Sequence, residues 1–181
     1  MDMSVPFTNV AGLFIGGEWV KATGGHDVIV NPATEVVIGH APMGSKEDVD
    51  AAIAAARRAF DTGPWPGMSV DERAHVMHKF ISGLRRRSEE IKALLTAEVG
   101  AVHMLMNGAQ FQGAITAAEY AIRLAIRIEP EPLPIELKPN PYVPGADIFA
   151  SGATVREPYG VVAAITPHNY PLLMNIVKAV P

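Results

Sequence analysis

The most informative absence in this 181-residue chain is cysteine, of which there is none. Without cysteine, these residues form no disulfide, offer no thiolate to a metal ion and contain no cysteine nucleophile. A reaction that needs a thiolate therefore needs a residue from outside this sequence.

A strong excess of charge and long hydrophobic runs are also missing. The formal net charge is −4, and the one dense basic run, Arg85–Arg87, fits a solvated helix end, so nucleic acid is not an expected partner. No apolar run reaches about 18 residues, so we expect no membrane span. Residues 1–6 lack the basic and apolar parts of a secretory signal, and we expect a cytoplasmic protein.

What is present begins with short strands. Leu13–Ile15 and Glu18–Val20 flank a Gly16-Gly17 pair that favours a hairpin turn. A strand from Asp27 ends at an Asn-Pro turn, and another covers Glu35–His40.

Four helices are predicted next. Ser45 can cap the first, and Ser69 with Glu72 forms a capping box for the second. A third runs from about Ser88 to Gly100, and a long Ala-rich helix covers Asn107–Ile128. The apolar face of the first consists of Val49, Ala52, Ile53, Ala56 and Phe60, and the packing face of the fourth of Phe111, Ala114, Ala118, Ala121, Ile122 and Ala125.

His75 and His78, three residues apart on the second helix, have the spacing of a metal-ligand pair. No nearby acid or third histidine supports such a site, so solvated helix surface is the preferred interpretation, and no metal is predicted.

Proline dominates the following segment. Three prolines within Glu129–Pro134 exclude a helix and predict an extended connector, and Lys138–Gly145 is a second loop. Asp147–Glu157 then has the character of a strand, or of a strand pair broken at Ser151-Gly152.

The last stretch has the pattern of a strand, a tight turn and a helix. The small apolar run Val161–Ile165 predicts a strand buried on both faces, as in a parallel sheet covered by helices. Pro171 suits the first turn of the helix that follows. Because ligands bind at the carboxyl ends of parallel strands, near helix amino termini, we expect any chemistry at Thr166–Asn169.

The residues of this stretch carry a resemblance. Glu157-Pro158-x-Gly160-Val161-Val162, followed by Thr166-Pro167-His168-Asn169-Tyr170-Pro171-Leu172, resembles the aldehyde dehydrogenase superfamily motif E-P-x-G-V-V…P-W-N-[FY]-P-L. His168 departs from this motif, because it stands where Trp is commonest. The opening strands are similar to that family's F-I-x-G-x-W and V-x-N-P-A-T as well.

The resemblance implies oxidation of an aldehyde to a carboxylic acid with NAD or NADP, through a cysteine thiohemiacetal and a thioester. It implies that Asn169 is catalytic, donating a hydrogen bond to the oxyanion. Asparagine is also a favoured helix cap, and the two roles of Asn169 are compatible.

Further roles are implied in the same way. Ile165, Thr166, Pro167 and His168 align with residues that touch the dinucleotide, largely through backbone atoms. Tyr170 and Met174 would border the substrate tunnel, although buried helix packing explains them equally well. Phe111 is a weaker tunnel candidate, for which core packing is preferred.

The fold class implied is α/β: the amino-terminal portion of an aldehyde dehydrogenase-like fold, with helices and short strands leading into the first strand and helix of a Rossmann-like parallel sheet. Residues 1–134 would be strands and helices of the cofactor-binding domain, 135–158 an oligomerisation arm, and 159–181 the start of the dinucleotide-binding sheet.

The expected protein is a homo-oligomer, a dimer or tetramer, of which this chain is a truncated and, alone, inactive part. The alternative is a naturally short, non-catalytic homologue that acts as an assembly or interaction module.

Overall fold

The computed structural model describes residues 12–181, and the prediction made for residues 1–6 lies outside them. Two compact units are present. The first contains the described residues up to Ile126 together with Gly160–Pro181, and the second is Arg127–Tyr159. The functional division predicted at residues 134 and 158 stays a prediction.

The first unit begins with two antiparallel hairpins, the first predicted as a hairpin and the second predicted only as two strands. Strands β1 (Gly12–Ile15) and β2 (Glu18–Lys21) pair around Gly16 and Gly17, whose φ angles of 64° and 91° suit a tight hairpin turn. Strands β3 (His26–Val30) and β4 (Val37–Pro42) form the second hairpin.

Three helices follow, and their ends match the predicted signals. Helices α1 (Lys46–Thr62) and α2 (Val70–Arg86) both begin with a capping box, in which Ser45 and Ser69 accept hydrogen bonds from the backbone amides of Asp48 and Glu72. Helix α3 (Ser88–Val99) ends at Gly100, whose φ of 66° is left-handed.

The long helix predicted at Asn107–Ile128 begins earlier, at His103, and is not α-helical throughout. A short helix α4 (His103–Leu105) continues into a π-helical segment, Met106–Gln112, and then into α5 (Gly113–Ala125). Helix α6 (Pro171–Ala179) is the last element, with Pro171 in its first turn as predicted.

The hydrophobic core lies where α2, the π-helical segment, α5 and α6 meet. Its buried members are Ile81, Phe111, Ala114, Ile115, Ala118, Ile122 and Ile176. The predicted packing face of the Ala-rich helix is thereby largely confirmed, and its small side chains allow α5 a close approach to its neighbours. The helix predicted at α1 is confirmed, but its apolar face is not covered by the described residues: no residue of α1 is buried, and Val49 and Ile53 are 52% and 53% exposed.

The second unit is an antiparallel ribbon. Strand β6 (Glu136–Pro139) pairs with β7 (Asp147–Ala150), and the two-residue strands β5 (Glu131–Pro132) and β8 (Ala153–Thr154) pair beyond them. The predicted strand break at Ser151-Gly152 is confirmed. The segment Glu129–Pro134, predicted to be an extended connector, contains β5. Every residue of β6 is exposed.

The buried strand predicted at Val161–Ile165 does not form. No strand is assigned to these five residues, Val162 is 71% exposed and Ile165 is 89% exposed. The described strands all pair in antiparallel twos, so nothing in residues 12–181 supplies the parallel neighbours that such a strand requires. Within the same residues, no helix combines the length and apolar character that crossing a membrane would need.

Candidate active site at the start of the last helix

The predicted turn leads directly into α6. Tyr170 occupies the N-cap position, with φ −132° and ψ 60°, and its side chain makes no capping hydrogen bond. Asn169 lies one residue earlier and is exposed. The helix-cap alternative for Asn169 is therefore wrong, which leaves its side-chain amide available to a ligand.

Two side-chain hydrogen bonds hold the turn. The Thr166 hydroxyl donates to the amide oxygen of Asn175 on α6, with Oγ1 to Oδ1 at 2.8 Å. On the other side of the turn, Nε2 of Gln110 donates to the backbone oxygen of Asn169 at 3.0 Å. The second bond uses the Asn169 carbonyl and leaves the side chain of that residue unconstrained by Gln110.

Sequence reasoning missed both Gln110 and Asn175. The sequence could have indicated Gln110, because it lies one helical turn before Ala114 on the predicted packing face. A polar residue on an otherwise apolar face suggests a buried hydrogen bond. Its partner, 59 residues away, had no signal in the local pattern.

The four cofactor candidates form one continuous stretch of backbone. Ile165, Pro167 and His168 are exposed, and Thr166 is half-buried by its position against α6. An exposed stretch of this kind presents peptide groups and the apolar Ile165 side chain to a ligand, which is the kind of contact that the resemblance implies.

The two tunnel candidates lie one helical turn apart. The Met174 amide donates to the Tyr170 carbonyl at 2.9 Å, and both residues are half-buried. Phe111, in contrast, is 5% exposed and belongs to the core, with the Lys92 ammonium 5.2 Å from its ring centroid. The core-packing interpretation of Phe111 is the one that its position supports.

The histidine pair behaves as helix surface. His75 and His78 are both exposed, and no group of three histidine or acidic residues able to hold a metal ion occurs in the described part of the chain. A groove between β1 and α1, bordered by Phe14, Ala55 and Ala59, includes no residue of the turn.

Two carboxyl groups at the starts of helices have lowered pKa values. Hydrogen bonds from Ser45, then from Thr23, lower the pKa of Asp48, and hydrogen bonds from Ser69 lower the pKa of Glu72. Both carboxylates are capping-box partners, so their ionised form is stabilised for structural reasons. Both groups belong to the starts of α1 and α2 and not to the turn.

Comparison with known proteins identifies the family of this chain. The family model for the aldehyde dehydrogenase family matches residues 19–181. The chain belongs to the aldehyde dehydrogenase family. The resemblance drawn from Glu157–Leu172 is thereby confirmed.

Individual relatives agree. The chain is 33% identical over 177 residues to malonate-semialdehyde dehydrogenase 1 of Geobacillus kaustophilus, covering 97% of this chain and 34% of that protein. It is 33% identical over 182 residues to aldehyde dehydrogenase 1A1 of Mesocricetus auratus, covering 99% of this chain and 34% of that protein. The chain thus spans about a third of the length of these relatives.

Solved structures confirm the predicted fold class. The Mycobacterium tuberculosis aldehyde dehydrogenase complexed with NAD+ matches 94% of this chain and 33% of its own, with a TM-score of 0.78 at 34% identity. A betaine aldehyde dehydrogenase double mutant from Staphylococcus aureus, in complex with NAD+, matches 98% of this chain and 34% of its own, with a TM-score of 0.80 at 29% identity. This aldehyde dehydrogenase chain therefore has the amino-terminal part of the family fold.

Proposed function

We propose that the polypeptide to which these residues belong oxidises an aldehyde to a carboxylic acid with NAD+ or NADP+. Family membership over residues 19–181 supports the reaction class, and NAD+ complexes of proteins with the same fold support the cofactor. The observation in this chain that carries the proposal is an exposed Asn169 on a turn held by side-chain hydrogen bonds at both ends.

Asn169 is the catalytic residue in this proposal. When a thiolate adds to an aldehyde, negative charge develops on the former carbonyl oxygen. A neutral amide that donates a hydrogen bond to this oxygen stabilises the transition state more than the uncharged substrate, which is what raises kcat. The amide of Asn169 keeps its protons throughout the working pH range, unlike a titrating donor.

The stretch Ile165–His168 would form part of the cofactor site. Three of its four residues are exposed, and Ile165, 89% exposed, offers apolar surface to a flat ring. Bound there, NAD(P)+ would supply the hydride acceptor. Contacts through peptide groups do not depend on the side chain, so His168 is compatible with binding although most of the family carries Trp.

Tyr170 and Met174 would border the path of the aldehyde, because both expose part of their surface beside the turn. The ribbon of the second unit would pair subunits into a homodimer or homotetramer. It carries Leu137 and Phe149 with 65% and 78% of their surfaces exposed, and burying such residues favours association.

The nucleophile in this proposal comes from outside residues 1–181, which contain no cysteine. Residues 1–181 alone are accordingly proposed not to turn over, because they supply the oxyanion donor and part of the cofactor site only. The competing role as a non-catalytic assembly module predicts no aldehyde-dependent NAD(P)H formation by the complete polypeptide.

The test is Asn169→Ala in the complete polypeptide, with an aldehyde panel and both cofactors. Loss of one oxyanion donor is expected to lower kcat about 10²- to 10³-fold, with the cofactor Kd changed little. Asn107→Ala is the matched control, since Asn107 is an exposed asparagine whose side chain contacts His103. An unchanged kcat in Asn169→Ala removes Asn169 from the mechanism.

A further inference from the structure

Gln110 is the most deeply buried polar side chain of the described core. It is 0% exposed, and it lies in the π-helical segment between the buried residues Met106 and Phe111. Its one hydrogen bond there reaches across 59 residues of sequence to the backbone oxygen of Asn169, at 3.0 Å. This side-chain amide thus joins the π-helical segment of the core to the turn.

The chemistry of this contact fixes the orientation of the amide. A backbone oxygen can only accept, so the atom of Gln110 that faces it has to be Nε2. Its Oε1 is then buried, and no donor for it exists among residues 12–181. The bond from Nε2 to the Asn169 carbonyl is therefore the contact that explains an amide at this buried position.

The π-helical conformation of Met106–Gln112 also favours a functional role for Gln110. A π-helical turn is less favourable than an α-helical one and is frequent at functional sites. Here the segment Met106–Gln112 contains the residue that touches the turn, and α5, which continues it, packs in the same core as α6.

We propose that Gln110 is a positioning residue for the oxyanion donor. By holding the Asn169 carbonyl, it fixes the peptide that precedes α6 and so the direction in which the Asn169 side chain leaves the backbone. This inference rests on the proposed function of Asn169. It predicts that Gln110 affects the chemical step through Asn169 and leaves substrate and cofactor affinity intact.

The test compares Gln110→Met and Gln110→Leu in the complete polypeptide with Gln112→Met. Methionine conserves volume and leucine is smaller, and neither side chain carries a hydrogen-bond donor. Gln112 is the matched control, an exposed glutamine of the same π-helical segment. We expect kcat to fall roughly 10- to 100-fold in both Gln110 variants, since small misplacements of a catalytic group have effects of this order.

Three readouts separate positioning from a merely structural role. The aldehyde KM and the cofactor Kd should stay within about twofold, and the Tm of Gln110→Met should be unchanged or higher, because the unpaired acceptor is gone. In an Asn169→Ala background, Gln110→Met should change kcat less than about twofold, since the group it positions is absent.

The inference is overturned if kcat is unchanged in the Gln110 variants, if it falls equally in both backgrounds, or if it falls only together with Tm and cofactor affinity. An Asn169→Ala enzyme with undiminished kcat would instead refute the proposed function itself. The two failures are therefore distinguishable.

Discussion

Helix α6 packs on the core through Ile176, which is buried, and through the partly buried Leu172, Leu173 and Val180. Ile176 is 4% exposed and is the buried residue of this helix, in the cluster that also contains Ile115, Ala118 and Phe111. Helix α6 carries Asn175, the partner of Thr166, and follows the turn directly. Substitution Ile176→Ala should therefore loosen the helix that supports the candidate site.

The size of the effect follows from the atoms removed. Ile→Ala deletes three methyl or methylene groups, each contributing about 0.8 kcal/mol when buried, so about 2.4 kcal/mol is lost from transfer alone. The cavity left behind adds to this loss, up to about 5 kcal/mol. Local opening of α6 should become at least roughly 50-fold more frequent.

Hydrogen exchange read by mass spectrometry on peptides from α6 measures this opening directly and does not require two-state unfolding of the whole protein. The matched control is Lys178→Ala, an exposed position two residues along the same helix, where the change should stay within about 0.5 kcal/mol. Equal protection of α6 in the two variants would refute the conclusion that Ile176 holds it.

Two further predictions concern the other helix ends. Hydrogen bonds from the backbone amides of Ser45 and Thr23 lower the pKa of Asp48 below its ordinary value of 3.8, so its stabilising contribution is complete above that pH and is lost as the pH falls through the lowered pKa. The Tm difference between the unsubstituted chain and Asp48→Asn should therefore be largest at neutral pH and vanish on acidification; a difference independent of pH would contradict this. Gly100→Ala should cost about 1–2 kcal/mol in denaturant unfolding, because φ is 66° and the new Cβ would lie 2.8 Å from Pro32 Cγ, and an unchanged midpoint would show that the helix end adjusts freely.

Features set by neighbouring residues were predictable from the sequence. The caps at Ser45 and Ser69 and the stop at Gly100 depend on residues within one helical turn, and all three are where the sequence places them. The Gly16-Gly17 hairpin is predictable for the same reason, since a tight turn sets the register of the strands beside it.

Features that need distant partners were not predictable in this way. The apolar stripe of α1 has helical spacing, but spacing does not say what covers it, and Val49 and Ile53 remain half exposed. Val161–Ile165 has strand composition, yet a strand exists only when another strand pairs with it. The local pattern therefore predicted a buried strand that these residues do not form.

The same distinction between local and distant features applies to the candidate site. The motif Thr166–Leu172 identified the turn by resemblance, while the contact of Asn169 with Gln110 joins two segments that no local pattern connects. The resemblance identified a proposed catalytic residue, and the structure identified what holds its backbone.

If Asn169 and Ile165–His168 act as proposed, cofactor binding and oxyanion stabilisation depend on different contacts within the chain. Asn169 is tied to the helical core through Gln110, and the helix after it is anchored by Ile176. Ile165, Pro167 and His168 are exposed, and Thr166 between them is hydrogen-bonded to Asn175 on α6. Core substitutions that disturb the Gln110 contact but leave the Thr166–Asn175 bond in place should therefore lower kcat before they weaken cofactor binding, because they act on the Asn169 backbone and not on the preceding stretch.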